Sequence, residues 1–341
     1  MTGAARAAGG LGVAVVGLGV GEQHARAYAA LPACGPLVLH DLDGSRTEAL
    51  ARELGAEAAV SYEEILADPR IAVVSIASFD DAHFEQVVAA LDAGKHLFVE
   101  KPLCRTVAEA RAVKAAWERA GARLHVESNL VLRAAPLYRW LREEREAGRL
   151  GQVYAFDGDY LYGRLAKITE GWRKDVLDYS VLLGGGVHLV DLLMWITGER
   201  PSAVSAVGNR IVTAGTAFRH PDYAAATFTF PSGLIGRVTA NFGCVHRHQH
   251  VVRVFGSEAT VIVDDAGPRI HRERDGGAPA KALVLAPLPP SKGALIPRFV
   301  AAVLAGEPVR GPVQHELDVV SACAAADRAL AEGETIAVDY A

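Results

Sequence analysis

The stretch VVGLGVGEQHARAY, residues 15–28, ends a β-branched run in two closely spaced glycines and then reads directly into a helix. A strand that turns through G-x-G into a helix is the phosphate-binding turn of a doubly wound sheet. The first glycine makes the turn, the second lets the backbone approach a pyrophosphate, and the free N–H groups of the helix start hold the anion. Gly17 and Gly19 fill those places, and Val20 follows at the helix mouth. The third glycine of the pattern, which serves close packing of helix on strand, is replaced by Glu22; Gly21, one position early, relieves the crowding and lets the carboxylate point outward. Glu22 therefore weakens the motif without excluding a dinucleotide, and a glycine pair alone also reads as a plain tight turn.

Working outward, GVAVVG (12–17), LVLHD (37–41), AVVSIA (72–77), HLFVE (96–100) and LHVES (124–128) are short runs of the kind buried in a parallel sheet. Between them lie segments with helical apolar stripes, three ending in glycine. This alternation predicts an α/β Rossmann domain over residues 1–128, with ligands at the carboxyl ends of the strands. Asp41 ends the second strand, where a carboxylate accepts from adenosine ribose hydroxyls and repels a 2′-phosphate, so NAD is favoured over NADP. Arg46 keeps an NADP reading open, and Asp43 is expected to cap the next helix. Glu100-Lys101-Pro102 places a lysine at the end of the fourth run, positioned to relay the proton of a substrate hydroxyl. An exposed loop with a solvated lysine is the plain alternative.

Composition limits the partners. The chain has 341 residues, 50% hydrophobic and 22% charged, with a net charge of -5 and no long basic run, which argues against nucleic acid or an anionic membrane surface. The start shows no signal-peptide core and no later run reaches membrane-spanning length, so a cytoplasmic protein is expected. Cys34, Cys104, Cys244 and Cys323 are widely spaced, as for buried reduced thiols.

Taken together, the turn GLGVGEQHARAY, the segment SIASFDDAHFEQVVAALDAGKHLFVEKPL, the stretch EGWRKD, the segment GGGVHLVDLLMWITG and the tail around RFVAAVLAGEP resemble the glucose-fructose oxidoreductase and inositol dehydrogenase family, Gfo/Idh/MocA, over nearly the whole chain. The resemblance implies a Rossmann domain followed by an α+β domain with a large open, mainly antiparallel sheet over residues 129–341, its C-terminal helices packing back on the first domain. It also implies a homodimer or homotetramer built through that sheet, a nicotinamide cofactor, and a secondary alcohol of a sugar, cyclitol or related polyol as substrate. Lys101 matches the lysine that hydrogen-bonds the reacting hydroxyl, and His188 the histidine usually paired with it in acid–base work. Val20, Ser78, His83, Glu100, Trp172 and Arg173 join Gly17, Gly19, Asp41 and Lys101 as expected cofactor residues. Asn129, Tyr160, Tyr162, Arg164 and Asp191 join Lys101 and His188 as expected substrate residues. Two departures stand out. Phe79 replaces a usual proline, and Gly184 stands where an aspartate commonly precedes the histidine by four residues; Asp178 and Tyr179 are the nearest groups able to fill that gap.

In the second half, HLVDLLMWITG reads as a helix that puts His188, Asp191 and Trp195 on one face. A structural His188–Asp191 hydrogen bond is the plain alternative. His246, His248 and His250 alternate along a run read as strand, with no carboxylate nearby in sequence, and no metal is expected because hydride chemistry needs none. AATFTFPSGLIGRVTANFG reads as two strands around a Pro-Ser-Gly turn, and RIVTAG, VVRVFG and TVIVDD as further strands. The expected activity is NAD-dependent oxidoreduction at a sugar or cyclitol hydroxyl. Its rivals are an NAD-dependent glycosidase with transient oxidation and a non-catalytic cofactor-binding regulator.

Overall fold

Short runs of Val, Ile and Leu with no polar alternation can satisfy their side chains only when a sheet is covered on both faces. The computed structural model, which describes residues 9–275 and 277–341, uses them in this way. Its chain divides into two compact units. The first takes in the chain up to Val131, with Pro289–Leu317 and Ala341. Here β1 (Leu11–Val16), α1 (Gly21–Ala29), β2 (Cys34–His40), α2 (Gly44–Leu54), β3 (Glu57–Ala58), α3 (Tyr62–Ala67), β4 (Ile71–Ile76), α4 (His83–Asp92), β5 (His96–Val99), α5 (Val107–Arg119) and β6 (Val126–Ser128) alternate in order. All the strands pair in parallel in the order β3-β2-β1-β4-β5-β6. The crossovers after β1 and β4 run in opposite directions, so the segments leaving these two strands flank the crevice where such sheets bind ligands. Val13, Val15, Val73, Leu97 and Phe98 in the strand centres are fully buried. The predicted caps hold: the Asp43 side chain accepts from the Arg46 N–H, and Gly55 ends α2 in the left-handed region.

The second unit is Leu132–Leu288 with Asp318–Tyr340. It begins with α6 (Pro136–Glu146), β7 (Val153–Leu161), the short α7 (Ala166–Thr169) and α8 (Val187–Thr197), which a π-helical segment, Leu182–Gly186, precedes. The strands β8 (Ala203–Asn209), β9 (Tyr223–Thr229), β10 (Ile235–Asn241), β11 (Gln249–Gly256), β12 (Thr260–Asp264), β13 (Gly267–His271) and β14 (Lys281–Ala282) follow. After α9 (Ile296–Ala305) of the first unit and α10 (Arg310–Glu332), β15 (Ile336–Ala337) completes a nine-stranded sheet ordered β14-β13-β12-β11-β7-β10-β9-β8-β15. All of its pairs are antiparallel except β7 with β10.

Glycines let α8 lie close on this sheet. A Cβ at Gly236 would stand 2.3 Å from Leu193, and one at Gly158 3.2 Å from Leu189. The face of β7 and β10 turned away from α8 carries a half-buried charge network, in which Arg237 bonds Asp157 and Asp159, and Arg253 and Thr239 also bond Asp159. Two readings are corrected here. RIVTAG forms no strand, because the Asp222 carboxylate accepts from both the N–H and the hydroxyl of Thr213 and turns the chain after β8. The strand read through HRHQH begins only at Gln249. No helix among the described residues is long and apolar enough to cross a membrane.

Candidate active site

In the first unit the glycine turn is built as its sequence requires. Gly17 has φ 81°, and a Cβ there would stand 2.6 Å from the Ala77 carbonyl oxygen and the Ser78 nitrogen. A Cβ on Gly21 would be 3.1 Å from Ala77 Cβ and Val15 Cγ1, so Gly21 does the close-packing work of the displaced third glycine. Glu22 lies on the surface, held by Arg26 at 2.8 Å, and Arg26 also reaches Glu53. Nothing of the protein comes within 4 Å of a Cβ built on Gly19, and Gly19 and Val20 are exposed. That open backbone at a helix start fits a dinucleotide phosphate. Asp41 completes the cradle: one carboxylate oxygen accepts from the Leu18 N–H at 2.5 Å and the other from Asp43 N–H at 2.9 Å. The carboxylate is thereby fixed beside the turn at the end of β2.

Across the crevice, the loop after β4 is braced from below. Ser78 donates to Gln86 at 2.6 Å, and the buried His83 ring lies 2.7 Å from the Pro102 carbonyl oxygen and 3.3 Å from that of Ser78. With its ring nitrogens against backbone oxygens, His83 ties the loop to the Lys101–Pro102 segment. The Lys101–Pro102 peptide is cis. Beside it, Glu100 sits in a network that the sequence reading missed. His24 on α1 approaches it at 3.2 Å, and Asn129 donates to it at 2.7 Å and to the Lys292 carbonyl at 2.7 Å. Burial opposes ionisation of Glu100, but the hydrogen bond and charge of His24, the charge of Lys101 and the Asn129 amide outweigh it and hold its pKa at about 2. The fully buried Asn129 thus positions Glu100 through its amide N–H groups. The available signal for His24 was a polar residue on the buried face of α1, next to Ala25 and Tyr28.

The second unit gathers an aromatic and imidazole cluster around the start of α8. Tyr160 stacks near His188, with ring centroids 6.3 Å apart, and meets His250 edge-on at 5.2 Å. Tyr162 packs on Phe242 at 4.5 Å, and Arg164 stands 5.6 Å from the Tyr162 ring. A Cβ at Gly185 would stand 2.5 Å from Tyr160, so the glycine run lets these rings lie directly on the helix backbone. The π-helical turn there matches the frequent use of such bulges at functional sites. Arg173 lies 4.6 Å from the Trp172 ring and donates to the Tyr179 hydroxyl at 3.0 Å, while Asp178 is exposed in a turn.

Asp191 is fully buried, and the Arg133 guanidinium grips both of its oxygens at 2.5 to 3.1 Å, which anchors α8. His248 and His250 lie 4.9 Å apart, whereas His246 turns to Asp265 at 3.1 Å, a carboxylate that the fold brings in from β12's end. No group of three or more His, Cys, Asp or Glu among the described residues is arranged to hold a metal ion.

Residues 11–128 match the model of the oxidoreductase family with an NAD-binding Rossmann fold, and residues 138–262 that of the GFO/IDH/MocA C-terminal domain. The chain belongs to the Gfo/Idh/MocA family. Among its Gfo/Idh/MocA relatives, levoglucosan dehydrogenase of Pseudarthrobacter phenanthrenivorans is 28% identical over 287 residues, 74% of this chain and 73% of that protein. Myo-inositol 2-dehydrogenase of Thermotoga maritima is 26% identical over 265 residues, 74% of this chain and 75% of that protein. A solved levoglucosan dehydrogenase in complex with NADH and levoglucosan superposes with a TM-score of 0.85 at 22% identity, covering 97% of this chain and 99% of that one. Scyllo-inositol dehydrogenase from Lactobacillus casei gives 0.79 at 19% identity, covering 96% and 99%. This Gfo/Idh/MocA protein has the NAD-binding Rossmann domain of an oxidoreductase family.

Proposed function

We propose that the protein is an NAD-dependent dehydrogenase or ketoreductase acting on a secondary alcohol or ketone of a sugar, cyclitol or sugar derivative. The observation that carries this reading is Lys101 at the carboxyl end of β5, beside a Glu100 held ionised, in the same unit as an open glycine turn with a fixed carboxylate. Gly17, Gly19 and Val20 hold the cofactor phosphates, and Asp41 takes the adenosine ribose and disfavours a 2′-phosphate. Bound NAD supplies the hydride acceptor. The Lys101 ammonium hydrogen-bonds the reacting hydroxyl and takes part in moving its proton, and Glu100 balances its charge. Tyr160 and Tyr162 offer the ring faces that suit a polyol.

Lys101→Met tests the assignment. Turnover on a panel of polyols, cyclitols and their keto forms is expected to fall by about 10²- to 10⁴-fold, with NADH binding followed by fluorescence retained. Full turnover in this variant excludes Lys101 from the chemistry. A cofactor-binding regulator is the second reading, favoured by Gly184 in place of a carboxylate; it predicts NADH binding with no turnover of any panel member by the unmodified protein.

A further inference from the structure

A buried imidazole needs a partner for each ring nitrogen. His24, on the inner face of α1, is fully buried with its ring edge-on to Phe98 at 5.3 Å, and it has both partners. Nδ1 lies 3.0 Å from the hydroxyl of Ser75, itself fully buried on β4, and Nε2 lies 3.2 Å from Oε1 of Glu100. The Asn129 amide reaches the same oxygen, Oε1, at 2.7 Å. Groups from α1 and from the end of β6 thus converge on one oxygen of one carboxylate.

A carboxylate only accepts, so Nε2 carries the hydrogen that points at Oε1, while the Ser75 hydroxyl, which can give or receive, serves Nδ1. The second oxygen is treated differently. Among the described residues no protein group bonds to Oε2, and 14% of the Glu100 side chain reaches the surface. Glu100 follows β5 directly, at the strand end where a doubly wound sheet binds its ligand. One oxygen is therefore clamped from within and the other is presented outward. Burial pushes the Glu100 carboxyl up, and the hydrogen bond and charge of His24 are the largest of the effects that reverse it.

We propose that His24 is a positioning residue for the dinucleotide site: its Nε2–H holds Oε1 of Glu100 from behind, so that Oε2 stands ready to accept from a hydroxyl of the bound dinucleotide. This deepens the proposed function and rests on its reading of Glu100 and Lys101 as the reacting end of the site. The charged groups acting on Glu100 are His24 from α1 and Lys101 beside it in the chain; Ser75 of β4, Phe98 of β5 and Asn129 after β6 are uncharged. Without the His24 donor, burial is opposed by Lys101 and the Asn129 amide alone, and Glu100 takes up a proton at a higher pH than before.

The test is fluorescence titration of NADH, at about pH 5.5 and about pH 8, into the unmodified protein and into His24→Phe, His24→Asn, His24→Gln and Glu100→Gln. Phenylalanine keeps a ring against Phe98 and loses the donor, asparagine is too short to reach Oε1, and glutamine keeps an N–H of the right reach. Relative to the unmodified protein, Glu100→Gln is expected to bind NADH about 10-fold more weakly at both pH values. His24→Phe and His24→Asn should stay within about 3-fold at the higher pH and lose about 10-fold at the lower, whereas His24→Gln stays within about 3-fold at both. Should His24→Phe fail to fold, His24→Asn carries the same expectation. Equal losses at both pH values leave His24 a packing residue and overturn the proposal. Unchanged affinity in Glu100→Gln, or a pH-dependent loss in His24→Gln as large as in the other two, overturns it as well. The expected affinities with no turnover of any panel member by the unmodified protein keep His24 in its role and sink the dehydrogenase reading. Turnover with losses that do not depend on pH does the reverse.

Discussion

Glycines in this chain record what stands next to them, and two make sharp predictions. At Gly17 both the left-handed φ of 81° and the 2.6 Å approach of the Ala77–Ser78 backbone exclude a side chain. Gly17→Ala should lower stability by about 1–3 kcal/mol and weaken NADH binding, measured by urea denaturation and fluorescence titration. At Gly184 the obstacle is a side chain instead of backbone. Gly184→Ala should cost about 1–3 kcal/mol alone and much less in a Tyr179→Leu background, giving a double-mutant coupling of about 1 kcal/mol or more. Additive effects would mean that the ring moves aside freely. Gly21 and Glu22 were legible together in the sequence, because one residue's small volume and its neighbour's outward charge share the task that a single glycine serves in the usual pattern. The engagement of Asp191 by Arg133 was not legible, since 58 positions separate them in the chain.

Elements are set partly by their own sequence and partly by what they lie on. The capping of α2 by Asp43 and of α5 by Thr106 with Glu109 is local and readable, because the donors lie within three residues of the acceptor. By contrast, α8 is buried nearly all round, so its periodicity could mark His188 and Asp191 as sharing a face without telling which of them is consumed by packing. Arg133→Leu tests that distinction. It takes the guanidinium away from a fully buried carboxylate and should cost about 3–5 kcal/mol in chemical denaturation, with Asp191→Asn partly restoring the loss. A change within about 0.5 kcal/mol would show that the pair carries no such burden. The misread RIVTAG run shows the opposite limit: its β-branched residues suit a strand, but the buried Asp222 carboxylate offers the Thr213 backbone a better partner than a sheet edge.

Across the whole molecule, two buried carboxyls pull the pH dependence of stability in opposite directions. Glu100 is held at about 2, below its ordinary 4.5, so its contribution is present above pH 4.5 and is lost as pH falls toward 2. Asp327 is pushed up to about 6 by burial against the pull of its Ser180 hydrogen bond. The folded state then keeps a proton that the unfolded chain releases near 3.8, so stability falls as pH rises from about 4 to 6 and stays lower above that. Asp327→Asn keeps an acceptor for Ser180 and removes the titration. It should therefore be nearly neutral at pH 4 and stabilising by about 3 kcal/mol at pH 8, read from urea midpoints at the two values. The same offset at both pH values would show that Asp327 does not titrate in this window.

By itself the sequence determined the alternation of strands and helices in the first unit, the dinucleotide turn, the acidic residue after β2 and the lysine after β5. Each depends on residues adjacent in the chain or on the strict order of a doubly wound sheet, where strand ends and ligand sites coincide. Only the tertiary structure decided which polar residues are left for chemistry. It assigned Asn129 and His24 to Glu100, His83 to a brace and Asp191 to Arg133, and it placed the Tyr179 hydroxyl in the space above Gly184. The reason is the same in each case. A buried polar group must find a partner, and that partner is chosen by packing between distant segments, which no local pattern encodes.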